Sequence, residues 1–295
     1  MTGFSDRLAA LVEERRSQIC LGLDPDPAKL AGAGPKAGDP EAPAAELAAA
    51  AVTEHCQVLI ERAGPACVAV KPQLACFERL GAPGWRALEA TCEAARDAGL
   101  LVIADGKRGD VPVTAAAYAQ ALVGETPTPW GPVAGLGADA FTANPLLGRD
   151  ALEPLLAAAA EAGAGMFALV RTSNPGAADL QDLPAPEAPL HERLAALVDE
   201  LSERLLGESG LSGMGAVVGA TEPEHFARMR ELMPRSIFLI PGVGAQGGKP
   251  ELLGAAFAAG RAAGLVAASR GIAADPDPAA AAERLRQTVW DISTA

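Results

Sequence analysis

Between Asp105 and Asp110, the stretch "DGKRGD" places two carboxylates, a lysine and an arginine within six residues. Lysine suits a proton donor, because its surroundings can move its pKa, whereas arginine holds its proton. Only five of the 24 basic side chains are lysines, at positions 29, 36, 71, 107 and 249. Two of them, Lys71 and Lys107, stand at the ends of short apolar runs that read as buried strands. Asp105 and Lys107 are two apart and extend to the same side if their strand continues. Asp110 lies past a glycine, where a turn opens the next helix. An alternating array of Lys71, Asp105, Lys107 and Asp110 would hold each ammonium charged and each carboxylate ionised. The bland alternative is a structural ion network around a barrel mouth; charge clusters in clefts more often mark sites.

A second group of residues points to an anion. "IPGVGAQGG" (240–248) is a glycine-rich loop after a buried run, and "SRGI" (269–272) closes the last one. Backbone N–H groups around Gly242, Gly244 and Gly271 would meet a phosphate there, and Arg270 would add a bidentate grip. Other polar residues at strand ends are Asp24, Thr142, Arg171 and Ser173. The histidines, His55, His191 and His225, fall in helical or loop patterns away from the strand ends. They are expected to be surface or partly buried helix residues, and no metal site is expected. No P-loop, nucleophile elbow or dinucleotide fingerprint appears.

These residues need a scaffold, and the chain supplies a regular one. Eight apolar runs, at 19–24, 67–71, 101–105, 138–142, 166–171, 215–220, 237–240 and 264–269, alternate with Ala/Leu/Glu/Arg-rich stretches spaced for helices. The pattern predicts an α/β fold, a (β/α)8 TIM barrel forming one domain over residues 1–295, whose active site lies at the carboxyl ends of the strands. A doubly wound open sheet is the competing architecture. An amphipathic helix opens the chain. A Pro/Gly/Ala-rich loop is expected at about 25–46, before a helix of roughly 47–63, and a second irregular insert at 176–189.

Composition limits the partners. With a net charge of -13 and 4% aromatic residues, the chain offers neither a basic stripe nor stacking platforms for nucleic acid. Its five cysteines are odd in number and lack metal-ligand spacing, so they read as reduced core residues. No run is long enough to span a membrane, and the N-terminus lacks a signal-peptide core. A cytoplasmic protein is the expectation.

"ADGKRGDVPVT" resembles the Asp-x-Lys-x-x-Asp signature of the orotidine 5′-phosphate decarboxylases. "GLDPDP", "AVKPQLACFERLG", "ADAFTANPLLG", "VRTSNPGAADLQ", "VVGAT", "PGVGAQGG" and "ASRGI" follow the same family in order, over nearly the whole chain. The long first loop and "TSNPG" are similar to its longer bacterial subfamily. The resemblance implies cofactor-independent decarboxylation of orotidine 5′-monophosphate to uridine 5′-monophosphate, in de novo pyrimidine biosynthesis. It implies a catalytic array of Lys71, Asp105, Lys107 and Asp110. Asp24 would hold ribose hydroxyls, Ser173 the pyrimidine amide edge, and Gln246 and Arg270 the phosphate. A homodimer with shared sites is also implied, Asp110 and Thr114 reaching into the neighbouring subunit. Two rivals share the barrel. A sugar-phosphate decarboxylase or lyase would normally need a metal. A non-catalytic phosphate-ligand-binding barrel should have lost an array charge, and all four are present.

Overall fold

In the computed structural model, which describes residues 2–30, 42–184, 186 and 188–293, eight parallel strands close into a barrel. In chain order the strands are β1 (Ile19–Leu23), β2 (Ala69–Pro72), β3 (Leu101–Arg108), β4 (Glu125–Thr126), β5 (Val133–Ala134), β6 (Ala140–Ala143), β7 (Gly165–Arg171), β8 (Ser212–Val218), β9 (Ser236–Ile240) and β10 (Gly264–Ala268). The barrel order is β1-β10-β9-β8-β7-β6-β3-β2, and β4 pairs with β5 as a separate antiparallel hairpin. Strands buried on both faces carry no alternation, which is why the sequence shows them as continuous apolar runs. The helices are α1 (Phe4–Arg15), α2 (Ala44–Ala63), α3 (Leu74–Glu78), α4 (Ala82–Asp97), α5 (Pro112–Leu122), α6 (Arg149–Ala162), α7 (Leu190–Leu201), α8 (His225–Leu232), α9 (Arg270–Ala273) and α10 (Pro278–Ile292).

All eight expected strands are present, and the open-sheet alternative is excluded by closure between β1 and β10. The differences are local. α2 begins at Ala44, and half of the expected first loop, residues 31–41, lies outside the described residues. The β4–β5 hairpin has no apolar run to announce it. Between β9 and β10 the expected helix is replaced by three 3-10 turns, Pro250–Leu252, Gly254–Phe257 and Arg261–Ala263. Glycines at 254 and 260 and a proline at 250 interrupt any longer helical run there.

Two apolar layers hold the scaffold. One lies between the strands and the surrounding helices; the other fills the barrel itself and continues into α1. Phe4, Leu8 and Val12 of α1 are buried against the amino-terminal end of the barrel. Phe4 meets Phe167 edge to face at 5.8 Å between ring centroids. Residue 165 must be glycine for this, because a Cβ there would fall 2.5 Å from the Phe4 ring. All five cysteines are free thiols, four of them buried. No helix among the described residues is long and apolar enough to cross a membrane.

Arg230 compensates for the missing helix. It is buried, lies 3.8 Å from the Phe238 ring centroid, and donates to the carbonyls of Met233, Ser236, Ala256 and Ala263 at 2.7–3.0 Å. Burial pulls its pKa down to about 10, so it remains charged at neutral pH. The 3-10 segment is thereby tied to α8 and β9 through one guanidinium. Arg230→Met keeps an unbranched apolar stem but removes every donor, leaving buried carbonyl oxygens unmatched. Urea unfolding at pH 7 is expected to show a loss of about 2–4 kcal/mol; a loss within error of zero would show that water satisfies those carbonyls.

Candidate active site

The carboxyl ends of the strands open onto a cavity of about 610 Å³, a volume in the range that holds a small organic ligand. Its apolar floor is made by Leu169, Val217, Leu239 and Ala267. The register of β1, β2 and β3 sets Lys71 opposite Gly22 and brings Gln73 beside Asp105. Asp24, Lys71, Asp105, Lys107, Ser173, Gly242, Gln246 and Arg270 all line the cavity.

Asp105 is the centre of the polar wall. Its side chain is 6% exposed, and its two oxygens accept from four donors. Lys71 Nζ stands at 2.5 Å, Lys107 Nζ at 2.6 Å, Thr142 Oγ1 at 2.9 Å and Gln73 Nε2 at 3.3 Å. Burial alone would push its pKa up, but the charges of Lys71 and Lys107 outweigh burial and hold it well below the usual carboxylate range. For Lys71, burial opposes the charged form, yet Asp105 and Asp24 outweigh it and push the pKa up to about 12. The pair is therefore fixed in its ionised form across the neutral range.

Lys107 sits in an unusual backbone conformation. β3 carries a register irregularity between Ala104 and Arg108, and within it Lys107 has φ +49°. A left-handed conformation costs a lysine roughly 1 kcal/mol or more, and such strain gathers at functional positions. Its N–H donates to Thr142 Oγ1 at 2.8 Å, so Thr142 holds both ends of the Asp105–Lys107 unit. Arg108, in the same charged stretch, turns away to pair with Glu78 and lie over Tyr118.

The opposite wall comes from the loops after β7, β9 and β10. Ser173 is packed between glycines: a Cβ at Gly219 or Gly242 would come within 2.9 Å of its atoms. Its hydroxyl donates to Gln246 Oε1 at 2.9 Å, joining the two loops across the cavity. Arg270 is exposed on the lining, and among the described residues no carboxylate pairs with it.

Several expected residues are placed elsewhere. Gly244 does not line the cavity; its N–H is engaged by the Gly248 carbonyl at 2.9 Å, and its φ of +71° serves the turn. Gly271 also lies off the lining, within the single-turn α9. Asp110 and Thr114 are outside the cavity of their own chain. Asp110 Oδ1 accepts from the N–H of Val111, and Thr114 is exposed on α5.

His191 and His225 need correction: they are not remote from the strand ends. His191 is buried, with Nδ1 3.2 Å from Asp182, and His225 Nε2 lies 3.1 Å from Glu222; both acids grip Arg171 at the end of β7. Their helical patterning gave no hint that α7 and α8 lean over that strand. Among the described residues no cluster of His, Cys, Asp and Glu could hold a metal. Sequence reasoning also passed over Gln73, although its spacing of two from Lys71 is a usable signal.

A closed parallel barrel with a fixed lysine–carboxylate unit at one mouth, facing an arginine that has no carboxylate partner among the described residues, is the arrangement of a barrel enzyme for an anionic substrate. Residues 17–285 match the family model described as the orotidine 5′-phosphate decarboxylase / HUMPS family. The chain is 41% identical to the orotidine 5′-phosphate decarboxylase of Rhodopirellula baltica, over 92% of this chain and 88% of that one. It is 40% identical to that of Deinococcus radiodurans, over 91% and 88% respectively. The solved Leishmania donovani OMP decarboxylase superposes with a TM-score of 0.75 at 34% identity, covering both chains completely. A Streptomyces avermitilis structure gives 0.81 at 32% identity, over 100% of this chain and 97% of that one. The chain belongs to the orotidine 5′-phosphate decarboxylase / HUMPS family.

The charge state of the array sets its pH behaviour. Asp105 has a folded pKa below its unfolded value of about 3.9. Its stabilisation is therefore present above pH ~4 and lost as pH falls through the lower folded value. Lys71 runs the other way: its contribution is complete below about pH 10 and lost as pH rises through about 12. Comparing the wild type with Asp105→Asn by denaturant unfolding from pH 7 to pH 2 should show a stability difference that changes only below pH ~4. A difference that stayed constant down to pH 2 would mean that Asp105 titrates in the folded protein as it does in the unfolded chain, and a change already under way above pH 5 would mean that its pKa is raised instead.

Proposed function

We propose that the chain decarboxylates orotidine 5′-monophosphate to uridine 5′-monophosphate, a carboxy-lyase step in pyrimidine biosynthesis. The observation that carries this reading is the Lys71–Asp105–Lys107 unit at the barrel mouth, in a chain of this family.

The residues suit the chemistry. When the C6–carboxylate bond breaks, carbon dioxide leaves and the electron pair stays on C6 in the plane of the ring, where the π system cannot take it up. A fixed ammonium beside C6 stabilises that pair and then hands it a proton, and Lys107 would serve both tasks. Lys71 and Thr142 hold Asp105, which in turn orients Lys107. Asp24 would bind ribose hydroxyls, Ser173 the pyrimidine amide edge, and Gln246, Arg270 and Gly242 the phosphate. Binding energy from the phosphate end, remote from C6, can be spent on the transition state. This scheme uses no cofactor.

The fourth member of the array belongs to a second copy. Asp110 is off its own cavity, and Val111, Val113, Leu146 and Leu147 beside it on the chain and on the neighbouring loop are exposed. α5, though exposed along one face, carries no charged residue. Exposed apolar surface of this kind marks a contact face, and a cytoplasmic homodimer with Asp110 and Thr114 crossing into the partner's site accounts for it.

Three outcomes test this reading. Purified protein should consume orotidine 5′-monophosphate in a spectrophotometric assay with or without a chelator. Lys107→Ala should lower turnover by about 10⁴-fold or more without unfolding, and Lys107→Arg should not rescue it. Near-normal turnover in a folded Lys107→Ala protein would defeat the mechanism. Mixing inactive Asp110→Ala and Lys107→Ala subunits should regenerate activity, since some reassorted sites then carry both residues. No recovery despite demonstrated subunit exchange would exclude shared sites.

A further inference from the structure

Arg171 is the last residue of β7, two before Ser173, and its side chain is 4% exposed. Its guanidinium forks onto Asp182, Nε to Oδ1 at 2.8 Å and Nη2 to Oδ2 at 2.9 Å. Nη2 also donates to Glu222 at 2.6 Å, and Nη1 to the Thr172 carbonyl at 2.8 Å. Residues 171 and 182 bracket the loop that carries Ser173, so this fork closes the loop at its base. A second closure lies just inside it: the Thr172 N–H donates to Gln181 Oε1 at 2.7 Å. His191 then fixes the returning strand of the loop, through its N–H on the Gln181 carbonyl at 2.9 Å.

The branch to Glu222 reaches the other support of Ser173. Thr221, the neighbour of Glu222, donates its hydroxyl to the Ser173 carbonyl at 3.2 Å. One buried cation thus ties together both segments that determine where Ser173 stands. Arginine is needed for this, because only a planar fork can meet a carboxylate in two parallel bonds while serving two further acceptors. A lysine would keep the charge and lose that geometry.

We infer that Arg171, clamped by Asp182 and Glu222, is a positioning residue that sets Ser173, and with it the loop wall of the cavity, for recognition of the substrate's base. Arg171 does not line the cavity, whereas Thr172, Ser173, Asn174 and Gln181 do. Its effect is therefore indirect and appears mainly in binding. This inference rests on the assignment of Ser173 to the base.

The test is a double-mutant cycle between Arg171→Lys and Ser173→Ala, measuring kcat, KM, the affinity for uridine 5′-monophosphate by calorimetry, and thermal melting. Arg171→Lys should remain folded, raise KM and weaken product binding by on the order of tenfold, and leave kcat within about threefold. In the Ser173→Ala background the same change should add less than about twofold, because the residue it acts through is already gone. A purely structural role predicts a lower melting temperature and a smaller active fraction at unchanged KM, and that result overturns the inference. Fully additive effects overturn it too. Should Arg171→Lys not fold, Asp182→Asn removes the fork from its other side and is read in the same way. If Ser173→Ala alone changes neither KM nor product affinity, the assignment of Ser173 fails. If it weakens binding while neither clamp variant does, only the clamp fails.

Discussion

A carboxylate held by four donors at the end of a core strand constrains everything around it. Asp105 is desolvated, so it can remain ionised only if cations and hydroxyls stand within hydrogen-bond distance. Lys71 and Lys107 supply the charge, and Thr142 and Gln73 supply the remaining hydrogen bonds. Those four come from three neighbouring strands and their ends, so β2, β3 and β6 must keep their register for the carboxylate to be tolerable at all. The left-handed backbone at Lys107 persists because the same set of bonds determines it from both sides. The Lys107 ammonium is thereby given a fixed position, and in the proposed mechanism that is where electrostatic preorganisation draws its strength.

The far side of the cavity is built differently. Its wall is made of loops, and these are positioned by side chains behind them: Arg171 closes the loop after β7, and Arg230 anchors the 3-10 segment that follows the loop after β9. A rigid charged wall thus faces a loop wall that relies on supporting contacts. That division suits a site where the reacting carbon needs a fixed partner while the rest of the substrate is gathered by closing segments.

Much of this was legible in the sequence, for a physical reason. Strands buried on both faces leave continuous apolar runs, and charges that interrupt the end of such a run stand out, which exposed Lys71, Asp105 and Lys107. The β4–β5 hairpin, two residues per strand and exposed, leaves no such trace. Particular side-chain and turn contacts were also hidden. Nothing local says that His191 leans on Asp182, or that Gly244 spends its N–H inside its own turn. Gln73 and Thr142 were readable as strand-end polar residues, but their role depends on a register that only the closed barrel defines. The helix missing between β9 and β10 shows the converse: eight β–α units were a good description of topology, and glycine and proline decided the local form.

The packing of α1 against the amino-terminal end of the barrel has a consequence for traffic. Phe4 enters beside Gly165 and meets Phe167 edge to face, while Leu8 and Val12 fill the space behind it. The barrel is therefore a vessel stoppered at its base. Among the described residues the cavity opens at the carboxyl ends of the strands, so nucleotide, carbon dioxide and product share that end of the barrel for entry and exit. Any motion that sheltered the reaction from water would therefore also hold back its products.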